Sequence, residues 1–252
     1  MNTFNSTLIY NTLFFNILAV TEYGSIEEFK EKDLNKYYVW LAMATKRYEE
    51  ATTSIYLNKA CFLPEFSKIV GFSYITVKSE NNELKRNLKK YANINNEFQL
   101  ITDILAIFND LYSNTKNATN IPLLCGHNII GYDIPLLVKR IVKYRNELKS
   151  NDKLHIIPQI IKNYLNAKPW DANVLDTMNV WKFNGTDFIG IELISEFLSL
   201  KKNEALLPID TLNNMYWNSF AIDKEKLLKV IELQSANHTN LAFQLVNELR
   251  QL

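Results

Sequence analysis

The segment Lys68–Lys78 reads Lys-Ile-Val-Gly-Phe-Ser-Tyr-Ile-Thr-Val-Lys. Such density of β-branched and aromatic residues, bounded by charge, specifies a strand and suits no helix face. A second apolar run, Leu8–Val20, carries only Asn11 and Asn16 as strongly polar interruptions. It is too short to cross a bilayer, which takes about 20 apolar residues. No basic residue precedes it and no small-residue cleavage site follows, so it reads as a buried first strand, a secretion signal being the lesser alternative. The sequon Asn117-Ala118-Thr119 then carries no weight.

Between and after these strands the spacing turns helical. Ile26–Glu50 places Tyr37, Trp40, Leu41 and Tyr48 at helical intervals, and Glu97–Tyr112 is an amphipathic helix with apolar residues at 98, 100, 101, 104, 105, 107, 108 and 111. Glu80–Lys90 is a charged turn or edge hairpin, Ser113–Asn120 a polar loop and Ile121–Gly126 a short buried strand. Asp133–Leu148 is a helix with Lys139, Arg140, Lys143 and Arg145 on one face. Ile156–Leu165 and Ile189–Leu200 are helical and Val174–Val180 is extended. Asp223–Leu252 is a long last helix with Asp223 as N-cap. Strands alternating with helices predict a three-layer α/β fold. With 252 residues, no internal repeat and no long linker, the chain is expected to form one domain.

Composition removes several functions. The net charge of +1 excludes a strongly basic nucleic-acid tail, though not a local basic groove. Cys61 and Cys125 are too few for a disulfide framework or a structural zinc site, and six glycines leave no phosphate-cradling loop. No base is positioned to activate Cys125. The abundance of Asn, Lys and Ile suggests an AT-rich bacterial or viral genome. The expected location is the cytoplasm, or a virion if the chain comes from a phage.

Two segments carry more specific information. Leu124-Cys125-Gly126-His127-Asn128-Ile129-Ile130-Gly131-Tyr132-Asp133-Ile134-Pro135 is followed by Lys168-Pro169-Trp170-Asp171, Leu175-Asp176-Thr177-Met178 and Trp181-Lys182-Phe183. Together they resemble the 3′–5′ exonuclease family related to the proofreading domain of B-type DNA polymerases. The likeness extends back through Leu63–Val70 and onward through Leu193–Leu200 and Tyr216-Trp217 into the last helix. The resemblance implies a ribonuclease-H-like fold with a central mixed sheet. It also implies two-metal hydrolysis, in which two Mg²⁺ ions about 3.5–4 Å apart clamp the scissile phosphate. Four carboxylates hold such ions in the family: an Asp-x-Glu pair on the first strand, an Asp in the second motif and an Asp in a late helix. A Tyr four residues before that last Asp orients the water.

Carried onto this chain, the second-motif Asp is Asp133, but Asn16 and Leu18 stand for the Asp-x-Glu pair. In the last helix Leu233 stands for the Tyr and Asn237 for the Asp. An Asn oxygen ligates a hard cation weakly and a Leu not at all, so the ligand charge falls from about −4 to about −1. Close divalent ions then repel without compensation. Glu22, Asp176 and Glu232 are the carboxylates left to rebuild a site, none at the family's spacing.

Each remaining residue has an ordinary reading beside the functional one. Asp133 is a leftover ligand or the N-cap of its helix. His127 and Asn128 touch nucleic acid or bond backbone in a tight turn. Lys139 and Arg140 track phosphates or form a solvated face. Asp176 is a turn or helix-start residue, and Trp170 and Trp181 are core aromatics before they are stacking platforms. The expected function is that of an inactive exonuclease-like protein serving as a structural or protein-interaction component, for instance of a phage particle or replication complex. Protein partners are expected, nucleic acid is possible and membrane is not. No cofactor is expected, Mg²⁺ or Mn²⁺ entering only with residual activity. The alternatives are a non-catalytic single-strand-binding module and an exonuclease with a weakened metal site.

Overall fold

The computed structural model describes residues 9, 12–80, 83–113, 123–166, 173–202, 206–218 and 223–250. The loop expected over 113–120, the first residues of the strands expected over Leu8–Val20 and Ile121–Gly126, the sequon and the Lys168–Asp171 segment with Trp170 lie wholly or largely outside these residues.

Five strands form one mixed sheet in the order β3-β2-β1-β4-β5. β1 (Thr12–Thr21) is central, antiparallel to β2 (Ser67–Glu80) and parallel to β4 (Leu123–Gly126). β3 (Glu83–Ala92) extends the sheet antiparallel to β2, and β5 (Val174–Asp176) lies parallel to β4. β1 is apolar along both faces because both are covered. Leu13, Phe15, Ile17 and Ala19 face one layer, and Phe14, Leu18 and Val20 the other. β3 carries Lys85, Arg86, Lys89 and Lys90, the charged edge that discourages pairing with another chain.

The first helices follow β1. Ser25 caps α1 (Ile26–Lys32), and Asp33 both ends it and caps α2 (Leu34–Tyr48) by accepting from Lys36 N–H at 3.1 Å. That capping carboxylate divides the single helical stretch expected over Ile26–Glu50. A further short helix, α3 (Thr53–Lys59), has no counterpart among the sequence expectations.

One outer layer consists of α4 (Glu97–Ser113), α5 (Ile134–Lys143), α6 (Arg145–Ser150) and α7 (Gln159–Asn166). The expected helix over 133–148 breaks at Tyr144, whose ψ of 16° leaves the helical well. The extended segment expected over 174–180 stops at Asp176 and becomes α8 (Thr177–Trp181), with the Asp176 side chain accepting from Met178 N–H at 3.0 Å. α9 (Ile191–Phe197) and α10 (Ile209–Asn218) precede the long α11 (Lys224–Leu249), which Asp223 caps.

α11 forms the second outer layer. It comes close to the sheet because Gly71 has no side chain: a Cβ there would sit 2.7 Å from Ile231 Cγ2. Below this point a polar seam crosses the interface. Ser235 Oγ lies 2.9 Å from Ser73 Oγ and 3.3 Å from the Asn16 carbonyl oxygen, and Thr239 Oγ1 lies 2.5 Å from Ser73 Oγ. Among the described residues no helix is long and apolar enough to cross a membrane.

Candidate functional site

β4 is much shorter than β1, and its last residue sets the start of the site. Gly126 packs against β1 so tightly that a Cβ would lie 2.7 Å from the Phe15 carbonyl oxygen. Beyond Gly126 the chain leaves the sheet, so β1 has no ladder partner on that side past Phe14. A buried N–H in that position needs an acceptor. Asn128 turns the chain through a left-handed conformation (φ 62°), and a wide helical turn over Ile129–Asp133 follows. This turn brings Asp133 back to β1, where its Oδ1 accepts from Ile17 N–H at 2.6 Å and from Asn16 Nδ2 at 3.3 Å.

Asp133 precedes α5 but makes no side-chain capping bond, so the N-cap reading is corrected: its carboxyl is turned away from the helix to close the β1 edge. It is 2% exposed. Burial pushes its acidity to about 8, against which the Ile17 N–H bond is insufficient. The turn itself is held by Asp176, which accepts from the backbone N–H groups of Asn128 (2.9 Å), Ile130 (3.0 Å) and Met178 (3.0 Å). His127 uses both ring nitrogens: Nε2–H donates to the Ile189 carbonyl at 2.9 Å, and Nδ1 lies 3.0 Å from Thr177 Oγ1. Burial lowers its basicity, which leaves it neutral at neutral pH.

Above Asp133 lies a cleft of about 460 Å³. β1 contributes Asn16, Ile17, Leu18 and Ala19, the turn contributes His127, Asn128 and Tyr132, and Leu206–Ile209 form an apolar rim. Leu18 is 8% exposed and packs with Val20, Val70, Leu212, Tyr216, Leu227 and Ile231. Asn16 points its amide at Asp133, while its buried Oδ1 meets no donor.

From α11 the cleft receives Gln234 and His238, four residues apart. Each stands one residue on from Leu233 and Asn237. Neither lines the cleft, Asn237 being buried and Leu233 half-buried elsewhere on the helix. The polar seam explains the shift, because burying Ser235 and Thr239 against Ser73 rotates α11 in a way that apolar spacing does not reveal. Gln234 Oε1 accepts from Leu207 N–H at 2.8 Å. His238 stands 4.0 Å from Glu192, and burial lowers its basicity.

The basic residues expected to track phosphate are elsewhere. Arg140 is 2% exposed and pairs with Glu22 at 2.9 Å and with Glu97. Its charge is neutralised inside the fold, which corrects its assignment as a nucleic-acid contact. Lys139 is exposed and paired with Glu65 at 2.7 Å. Lys143 pairs with Glu22 at 2.6 Å. Among the described residues, no Lys or Arg lines the cleft.

The donor set does not suit two divalent ions. Asp133 is the one carboxyl in the cleft floor, Leu18 offers no oxygen, and Glu192 lies at the wall beside His238. Glu22 is held by Lys36, Arg140 and Lys143, Asp176 by three backbone N–H groups, and Glu232 by Lys90 at 3.4 Å, and none of the three lines the cleft. No group of three His, Cys, Asp or Glu poised to hold a metal occurs among the described residues.

The cysteines add no chemistry. Both are buried and their thiols are pushed up by burial, Cys61 to about 12. Sequence reasoning overlooked α10, whose Asn213 accepts from Thr21 N–H at 2.8 Å and anchors the end of β1. The only sequence signal there is the Tyr216-Trp217 pair. Compared with protein-family models, with curated proteins and with solved structures, the chain matches none.

Proposed function

We propose that this protein is a catalytically silent, exonuclease-like, ribonuclease-H-like scaffold that serves as a protein-interaction component of an assembly. The observation that carries the reading is Leu18. Where the two-metal chemistry of the resembled family needs a carboxylate, a Leu side chain is packed into the apolar cluster under α10 and α11. The mixed sheet, with Asp133 of the second motif delivered to the middle of β1, supports the relationship.

The electrostatics agree. Two neutral imidazoles, amides and an Asp133 carboxyl that stays largely protonated near neutral pH give little attraction for a polyanion. Exposed aromatics support protein contact: Phe183, Phe188 and Phe197 are 51%, 67% and 75% exposed, and Trp181 packs on Phe183 and Phe197.

One observation favours a second reading, non-catalytic single-strand binding: Lys182 lies over the Phe188 ring at 3.3 Å, a pairing that also suits a stacked base. The deciding experiment incubates 3′-labelled single-stranded DNA with Mn²⁺ and the protein or its Asp133→Ala variant, beside native gels at two salt concentrations. The scaffold reading expects neither degradation nor a gel shift. Degradation lost in the variant overturns it, and a salt-sensitive shift without degradation replaces it with the binding module.

A further inference from the structure

A second cavity, of about 300 Å³, opens between the end of β1, the start of β2, the end of β3 and α5. Its wall holds two carboxylates, Glu22 and Glu97, and three cations, Lys68, Arg140 and Lys143. Both carboxylates are fully engaged. Glu97 accepts from Ile69 N–H at 2.7 Å, from Tyr144 Oη–H at 2.9 Å and from Arg140. Glu22 accepts from Arg140 at 2.9 Å, from Lys143 at 2.6 Å and from Lys36.

Lys68 is left over. Among the described residues its ammonium has no oxygen acceptor and rests against two rings, 4.7 Å from the Tyr216 centroid and 4.3 Å from that of Trp217. Burial lowers its basicity, with nearby Glu97 and Glu22 only partly opposing. Within the lining three cations face two carboxylates, an excess of one positive charge. The first turn of α4, a 17-residue helix, borders the cavity at Glu97 and adds the positive end of its dipole.

We propose that this cavity is an anion site that takes a phosphate group, with Lys68 Nζ as the principal donor and Lys143 as the second. A phosphate group matches the positive excess, and it supplies Lys68 with the charge-assisted oxygen acceptors that the described residues do not give it. The group arrives as inorganic phosphate or as the terminus of a nucleoside monophosphate. This inference makes no use of the cleft or of the exonuclease resemblance.

The test is isothermal titration calorimetry of the full chain, in a phosphate-free buffer, with inorganic phosphate, a nucleoside 5′-monophosphate and the corresponding uncharged nucleoside. At least one phosphate-bearing probe is expected to bind, about tenfold or more weaker to Lys68→Met and with affinity retained in Lys68→Arg and in Lys139→Ala. If Lys68→Met fails to fold, Lys143→Met serves instead, since Arg140 and Lys36 still hold Glu22. Binding of the monophosphate alone assigns the nucleotide source, and binding of both probes assigns free phosphate as sufficient. No binding of either probe to the folded protein overturns the proposal. So does equal binding by a folded variant, or equal binding of the nucleoside.

Discussion

Asp133 Oδ1 accepts a hydrogen bond from Ile17 N–H at 2.6 Å, so a side chain from the turn after β4 completes the edge of the central strand. The same carboxyl is sealed from water and held at about 8 by burial. Its pKa in the fold thus lies above its unfolded value. The fold loses stability from this group as pH rises from about 4 towards 8, because the unfolded chain releases the proton first. Asp133→Asn keeps an acceptor for Ile17 and removes the titration. In thermal melts across that window, the variant's stability relative to the parent should rise with pH by a few kcal/mol, as an order of magnitude. A difference that stays flat with pH would show that Asp133 is ionised in the fold.

Leu18 is the residue whose replacement separates packing from chemistry. Leu18→Ala should cost about 2–3 kcal/mol in urea denaturation, because the surrounding cluster is built on the sheet and cannot collapse fully into the space. Leu18→Glu should cost more at pH 7 than at pH 5, since a carboxylate placed among Val20, Val70 and Ile231 is tolerated best when protonated.

Arg140 bridges two buried acids, and its loss leaves both undercompensated. Arg140→Met should cost about 3–5 kcal/mol, whereas Lys139→Ala, one residue away and exposed with its partner, should stay within about 0.5 kcal/mol. Chemical denaturation of both variants checks the contrast. Equal effects would contradict the buried network.

The aromatic group offers a test of interaction free of stability effects. Phe188→Ser with Phe197→Ser should leave the melting temperature nearly unchanged, as surface substitutions away from structural features shift stability by no more than about 0.5 kcal/mol. If this face binds partners, the pair should weaken association in cross-linking or sedimentation against the native assembly.

Much of the sheet was legible because strand periodicity and β-branched content carry it. β2 was expected over 68–78 and spans Ser67–Glu80, and of the charged segment expected as a turn or edge hairpin, Glu83–Lys90 belongs to the edge strand β3. α4 differs from expectation by one residue. Breaks inside helical stretches were not legible, since Asp33 and Tyr144 interrupt geometry without interrupting amphipathic spacing. α3 and α10 have no counterpart among the helices expected from the sequence. Asn16, Leu18 and Asp133 line one cleft. Which α11 residues face the cleft was not legible, because Ser235, Thr239 and Asn240 are buried polar residues that apolar spacing does not place. Arg140 looked like a surface cation because its acids, Glu22 and Glu97, lie far away in sequence.

The hydroxyls between β2 and α11 have a consequence at a distance. Apolar contacts alone let a helix roll on a sheet, whereas Ser73, Ser235 and Thr239 accept only a narrow range of azimuth. The identity of the cleft's far wall, Gln234 and His238 instead of their neighbours, is thus inherited from three side chains that do not line it. Substitutions in that seam can rewrite the surface chemistry of the protein without altering a single cleft residue.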